Sequence, residues 1–371
     1  MAYKLGVAGL GHWFERLLEG MGDSDIELFK AAGSRPAEAK AEQLQRLGIP
    51  EENYYVASGS LLPDGFFDGV DIVQIANPNS LHSSQTIQSL EKGKVTFTEK
   101  TWGVNRREFY DVVEYVRANG LEAKAYLHLH YLHKRLTMEL PQLLDRLSGA
   151  NGKITDFSAT FFEPMDKENI GHRAWLFSAA EGGVFMDWIH PFEILFHGAM
   201  AESASISSLR LFAVNSVYKG REPTGVEAGL SIRGDGFSSG ARGTIRVAKD
   251  TDGVGRKAAV ISFESGAQLQ LEYQDSETEF RNGTNGSWRL VSGHGEVLET
   301  GSPIGSNTSV IMVKDMLERL NGRMSGLGVQ EICRLFEPQW RYQELAPELE
   351  LKGGESAQEF ITAGACIGTE V

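Results

Sequence analysis

Lys4-Leu5-Gly6-Val7-Ala8-Gly9-Leu10-Gly11-His12-Trp13-Phe14, followed by the helical Glu-Arg-Leu-Leu-Glu-Gly of residues 15–20, decides the fold. A short apolar run reads as a buried strand, the glycine pair as a tight turn, and the residues after the pair as a helix. In such a unit the first glycine permits the turn. The second lets the backbone approach a pyrophosphate seated on the helix N-terminus. The third glycine of the dinucleotide fingerprint serves close helix–strand packing, and Phe14 stands in its place. A slightly different seat for the helix is therefore expected. The glycine pair alone is weak, and its surroundings supply the weight.

Those surroundings repeat the strand–helix alternation. Ile26–Ala32 reads as a second strand, ending in Gly33-Ser34-Arg35-Pro36 before a helix from Pro36 to Leu47 that Gly48 stops. An acidic residue at the end of this strand would hold the ribose 2′-hydroxyl of NAD. Ser34-Arg35 offers a hydroxyl and a guanidinium instead, which suit the 2′-phosphate of NADP. NADP is expected, with NAD open. Asp71–Ile75 is a further strand, ending in the loop Ala76-Asn77-Pro78-Asn79-Ser80-Leu81-His82, and Asn79 or Ser80 can cap the next helix. Lys94-Val95-Thr96-Phe97-Thr98 is another buried strand and breaks into Glu99-Lys100-Thr101-Trp102-Gly103. Ligands of doubly wound sheets bind outside the carboxyl ends of the strands, so Lys100 is a candidate for chemistry and not only a surface charge. Asn105 to Glu108 is a capping box opening a helix to about Asn119, and Leu121–Leu129 is the last strand. The alternation gives a parallel, doubly wound sheet.

Gly9-Leu10-Gly11, Asn77-Pro78-Asn79-Ser80-Leu81-His82 and Glu99-Lys100, in this order, resemble the Gfo/Idh/MocA oxidoreductases. Thr101 stands where that family has proline. The resemblance implies that Lys100 sits beside the nicotinamide and contacts the substrate hydroxyl. It also implies a cofactor set of Gly9, Gly11, His12, Trp13, Ser34, Arg35, Asn77, Pro78, Asn79, His82, Glu99 and Lys100.

Beyond Tyr126 the segment His128-Leu129-His130-Tyr131-Leu132-His133-Lys134-Arg135 concentrates histidines and cations. In an extended chain His128 and His130 share a face. Zinc is one reading, but spacing fixes no third protein ligand, and no metal is expected. A basic surface and an anion or sugar-hydroxyl site are the others. His130-Tyr131-Leu132-His133-Lys134 is similar to a motif of glucose-6-phosphate dehydrogenases, which implies His130 and Lys134 as phosphate ligands. That family has Asp before the histidine, where this chain has Leu129. Downstream, Gly182-Gly183 leads into Asp187-Trp188-Ile189-His190, an acid and a histidine on one face of a helical turn. Such an acid can fix the tautomer of a general base. The resemblance implies a catalytic pair here, although the family spaces the two one residue further apart. Glu193 is an alternative partner. Trp175, with His128, His130 and Lys134, completes the substrate-binding candidates.

After Ala201 the chain turns β-rich, at Ser205–Tyr218, Val226–Arg233, Ala241–Ala248, Ala258–Phe263 and Gln268–Tyr273. One large, mostly antiparallel open sheet is expected, with late helices at Ser309–Leu320 and Gly328–Phe336. The fold class is α/β: a dinucleotide-binding Rossmann domain over residues 1–126 and an α+β substrate-binding and oligomerisation domain over 127–371. The chain has 371 residues, 41% hydrophobic and 23% charged, with net charge −14 and two cysteines, Cys333 and Cys366. A deficit of positive charge disfavours nucleic acid as partner. No transmembrane run and no signal peptide are read, and cysteine usage fits the cytoplasm. The expected activity is hydride transfer between a sugar or polyol, free or phosphorylated, and NADP, in a homo-oligomer. Lys100, His190 and Asp187 are the catalytic candidates. The rivals are a reductase of a non-sugar carbonyl or imine, and a non-catalytic dinucleotide-sensing regulator.

Overall fold

The computed structural model describes residues 2–22, 24–164, 177–214, 223–249, 251, 255–273, 286–303, 308–323 and 327–352. The chain forms two compact units, Met1–Leu129 with Ser309–Ile332, and His130–Thr308 with Cys333–Val371.

The first unit is built on β1 (Tyr3–Ala8), α1 (His12–Met21), β2 (Ile26–Gly33), α2 (Ala41–Leu47), β3 (Tyr54–Val56), β4 (Ile72–Ile75), α3 (His82–Glu91), β5 (Val95–Glu99), α4 (Arg106–Ala118) and β6 (Ala125–His128). Its six strands lie in the order β3-β2-β1-β4-β5-β6, and every pairing is parallel. This is the dinucleotide-binding strand order, which reverses between β1 and β4. The expected Rossmann sheet is therefore present. Leu5 and Val7 of β1 are buried with Phe14, Leu17 and Met21 of α1. Phe14 thus fills the helix–sheet space that the fingerprint leaves to glycine. Phe14→Ala is expected to cost about 3–5 kcal/mol of stability, as for other buried aromatic truncations. Thermal and denaturant unfolding would measure it, and a loss below about 1 kcal/mol would contradict this packing role.

α3 buries a polar face of Ser83, Gln85, Thr86 and Ser89. Buried hydroxyls need partners, and β5 provides them. Thr86 Oγ1 lies 2.8 Å from Thr98 Oγ1, and Thr96 Oγ1 donates to Ser89 Oγ at 2.8 Å. These bonds fix β5 in register with α3, and so fix where β5 ends. The expected capping box is formed as well. The Glu108 main-chain N–H donates to Asn105 Oδ1 at 3.0 Å, and the Glu108 carboxylate accepts from Asn105 Nδ2 and the Val104 N–H.

The sequence division places the late helix at 309–320 in the second domain. The structure places Ser309–Leu320 in the first unit, with Met312, Val313 and Met316 in the same core as Leu5 and Phe14. Its amphipathic pattern announces a buried face but not the partner of that face.

The second unit carries α5 (Arg135–Asn151), β7 (Ile154–Glu163), β8 (Ser203–Phe212), β9 (Gly225–Arg233), β10 (Phe237–Lys249), β11 (Arg256–Phe263), β12 (Gln268–Glu272), β13 (Ser287–Val291), β14 (Val297–Gly301) and β15 (Leu351–Lys352). These form one nine-stranded sheet, β14-β13-β12-β11-β7-β10-β9-β8-β15. It is antiparallel apart from the β7–β10 and β8–β15 pairs. α5 continues through Pro141 as a single helix. Short helical turns at Gly183–Asp187 and Ile189–Glu193, then a π-helical turn at Ile194–Gly198, precede β8. Among the described residues no helix is long and apolar enough to cross a membrane.

Candidate active site

In the first unit the candidate residues gather at the carboxyl ends of the parallel strands. Gly9 has φ +99°, and a Cβ there would lie 2.7 Å from the carbonyl carbon and oxygen of Ala76. Contact between the turn after β1 and the loop after β4 therefore demands glycine at this position. Gly11 differs, because a Cβ there would meet only the Ala76 oxygen, at 3.9 Å. Its open side, at the start of α1, is a cradle that a side chain would fill. No side chain caps that helix, and N-terminal amides with the helix dipole suit a pyrophosphate. Ser34 and Arg35 follow the end of β2 and are exposed. Tyr54 donates its hydroxyl to the Arg35 carbonyl at 2.8 Å, which pins this turn. These residues fit a dinucleotide carrying a 2′-phosphate.

Asn77 donates through Nδ2 to Gln85 Oε1 at 2.6 Å, while its buried Oδ1 has no hydrogen-bond partner among the described residues. Pro78 is exposed and Asn79 half-buried. His82, expected at the cofactor, is buried with both ring nitrogens against main-chain carbonyls: Nδ1 at 2.7 Å from Thr101 O and Nε2 at 2.9 Å from Asn77 O. Lys100 is half-buried just past β5, and the Lys100–Thr101 peptide is cis. The next residues hold that turn. Trp102 is fully buried, 5.8 Å between ring centres from Phe109. A Cβ on Gly103 would stand 2.5 Å from Glu108 Cβ.

His128 ends β6, and its Nδ1 lies 3.4 Å from Glu99 Oε1 across the β5–β6 pairing. The shared face expected for His128 and His130 does not form. The strand stops at His128, and His130–His133 coils into a 3-10 turn belonging to the second unit. His128 is thus a partner of Glu99.

In the second unit His190 is the centre of a buried cluster. Its ring lies 4.7 Å from that of His130, 4.6 Å from that of Tyr131 and 6.1 Å from that of Phe161, centre to centre. Of the two acids considered from sequence, Glu193 holds the imidazole. Its Oε1 is 3.0 Å from His190 Nδ1, and its Oε2 accepts the Leu132 N–H at 2.9 Å. The Glu193 side chain is 0% exposed. Asp187 instead faces Lys249 at the end of β10, Oδ2 to Nζ 3.0 Å. The support expected of Asp187 comes from Glu193 because the Ile189–Glu193 helix brings i and i+3 onto one face. Asp187 precedes that helix. An acceptor at Nδ1 makes that nitrogen the donor and leaves the lone pair on Nε2, the arrangement of a general base.

Nearby, burial pushes the Tyr273 phenol well above its ordinary range, and the Glu193 charge adds to the shift. Its hydroxyl is 3.2 Å from Thr137 Oγ1. Lys134 is buried, its ammonium 5.3 Å from the Tyr131 ring centre. Sequence reasoning missed Tyr131, Lys249 and Leu132. Only Lys249, a cation at the end of an apolar strand, left a visible sign. His12 and Trp13 lie in α1, but their side chains, and all of Trp175, lie outside the described residues. No group of three or more His, Cys, Asp or Glu side chains among the described residues is placed to hold a metal ion.

No family model matches the chain. In sequence it is 22% identical over 281 residues to a scyllo-inositol 2-dehydrogenase (NADP(+)) of Bacillus subtilis, covering 76% of this chain and 74% of that one. Among solved structures, a 3-ketoreductase variant from Actinomadura kijaniata, in complex with TDP-benzene and NADP, superposes with TM-score 0.70. Identity is 17%, over 95% of this chain and 100% of that one. An aldose-aldose oxidoreductase from Caulobacter crescentus, complexed with glycerol, gives TM-score 0.66 at 18% identity, over 98% of each chain. The resemblance to the Gfo/Idh/MocA oxidoreductases, first carried by Gly9–Gly11, Asn77–His82 and Glu99–Lys100, therefore extends from those motifs to the fold of the chain.

Proposed function

We propose that this chain is an NADP-preferring oxidoreductase that moves a hydride between a carbinol carbon of a sugar or polyol and the nicotinamide. The observation that carries the reading is the Glu193–His190 pair, a base oriented by a fully buried carboxylate. The relative from Bacillus subtilis is by name an NADP-dependent dehydrogenase of a cyclic polyol, which agrees in cofactor and substrate class.

The dinucleotide, when bound, supplies the hydride acceptor or donor; the protein's work is orientation, charge stabilisation and proton transfer. Gly9 and Gly11 shape the turn for the pyrophosphate, and Ser34 and Arg35 take the 2′-phosphate. His190 Nε2 accepts the hydroxyl proton in the oxidative direction and returns it in reduction. Glu193 holds Nδ1 and stabilises the imidazolium that forms. Lys100 donates to the substrate oxygen as negative charge grows on it. Asp187 and Lys249 together present an acceptor and a donor suited to a neighbouring hydroxyl.

We take the substrate to be uncharged. Lys134, which the glucose-6-phosphate dehydrogenase likeness offers to a phosphate, is buried over Tyr131, and Lys249 is paired with Asp187. Free inositols and sugars are expected to outperform their phosphates in nicotinamide-coupled assays. Turnover confined to the phosphates would restore His130 and Lys134 as an anion grip.

The cofactor preference is tested at Arg35. Arg35→Ala is expected to weaken NADP at least about tenfold, the order of one lost charge-assisted contact, with NAD nearly unchanged. Titration of intrinsic fluorescence reads both affinities. An unaltered preference would remove Arg35 from the 2′-phosphate site.

A further inference from the structure

The strand–helix unit that ends in Lys100 contains a histidine whose contacts suggest a different task from cofactor binding. His82 is the first residue of α3, and 1% of it is exposed. Its Nδ1 lies 2.7 Å from the carbonyl oxygen of Thr101, the residue directly after Lys100. Its Nε2 lies 2.9 Å from the carbonyl oxygen of Asn77, at the start of the loop after β4. An imidazole has two polar atoms. Here both face main-chain carbonyls, and neither is left to meet a dinucleotide. The two carbonyls belong to the two loops that carry the expected cofactor and catalytic residues of this unit.

We propose that His82 is a positioning residue: by bridging the Asn77 and Thr101 carbonyls it holds the Lys100 turn against the loop after β4, and so sets where the Lys100 ammonium stands. The inference rests on the proposed role of Lys100. Its chemistry follows from the chain's own composition. Thr101 leaves that turn without a ring constraint on its backbone, so side-chain contacts must define its path. Trp102 and Gly103 anchor the side of the turn facing α4, and His82 anchors the side facing β4. Buried carbonyls also need donors. Without the imidazole, which as a neutral ring brings one N–H to this pair of carbonyls, the two loops lose their bridge and the Lys100 turn can shift.

Two substitutions separate this role from its rivals. His82→Phe keeps a ring but removes the imidazole N–H and both polar ring atoms. His82→Gln keeps one amide that can still donate to a carbonyl. For His82→Phe, kcat is expected to fall at least tenfold while the NADP dissociation constant stays within twofold, with His82→Gln recovering part of the lost kcat. Circular dichroism and thermal unfolding confirm that each variant is folded. If His82→Phe weakens NADP by the same factor as it lowers kcat, His82 is a cofactor contact and the proposal is overturned. If His82→Phe turns over normally, the clamp does not position Lys100, and the proposal is overturned equally. Should the unmodified protein turn over no sugar or polyol, the functional reading fails before either variant is compared. The proposal is then read from backbone amide shifts of Thr101 and its neighbours. Movement of those signals in His82→Phe but not in His82→Gln supports the bridge, and unmoved signals overturn it.

Discussion

Lys100→Ala is expected to lower turnover by about 10²-fold or more, the loss typical of a donor that acts on transition-state charge, while NADP binding survives. Lys100 is placed by the elements on either side of it. β5 is fixed through the Thr86–Thr98 and Ser89–Thr96 hydroxyl pairs. The turn beyond it is gripped by buried Trp102 and by Gly103, which touches the capped start of α4. Removing the ammonium leaves these supports in place and deletes one donor. Lys100→Arg should rescue little, since a planar guanidinium does not reproduce a compact point donor. Steady-state kinetics with dinucleotide titration on the same preparations make the comparison. An equal loss of turnover and of NADP affinity would reduce Lys100 to a cofactor contact.

The second large effect is expected at His190 and at the carboxylate behind it. A general base contributes on the order of 10²–10⁴ in rate, and His190→Ala should forfeit most of that. Glu193→Gln should approach the same loss by a different route. The two Glu193 oxygens accept from His190 Nδ1 and the Leu132 N–H. An amide has one acceptor atom, so one of these donors would meet an NH₂ group in a fully buried site. Because Glu193 works through His190, the double variant should lose no more than His190→Ala alone. Multiplying losses would mean that Glu193 has a separate task, and near-normal turnover of His190→Ala would remove it as the base. Asp187→Asn, which disturbs the pair with Lys249, should show mainly a raised KM, as a lost binding contact does.

The Rossmann unit is readable in the sequence because its signals are local. The glycine turn, the Asn105–Glu108 cap and the Gly48 stop each lie within a few residues of the structure they set. β3, three residues long, gives too short a pattern to see. β13 and β14 also escape a sequence reading, although the Ser-Gly-His-Gly stretch at 292–295 reads as a loop and does form the turn between them. What sequence does not settle is non-local. Lys249 reaches Asp187 only because the nine-stranded sheet brings the end of β10 to the segment before His190. The choice between Asp187 and Glu193 depends on where a short helix begins, and helix ends are poorly marked when no cap signals them. His128 and His130 look like one cluster, but the strand ends between them and sends them to different units.

The most direct measurement is nicotinamide absorbance with NADP, then NAD, against a panel of free sugars and polyols. Reduction of NADP by at least one neutral polyol or sugar, faster than that of NAD and lost in both Lys100→Ala and His190→Ala, is the expected result. Tight NADP binding with no turnover across the panel would contradict it and turn the reading toward a dinucleotide-sensing protein of the same fold.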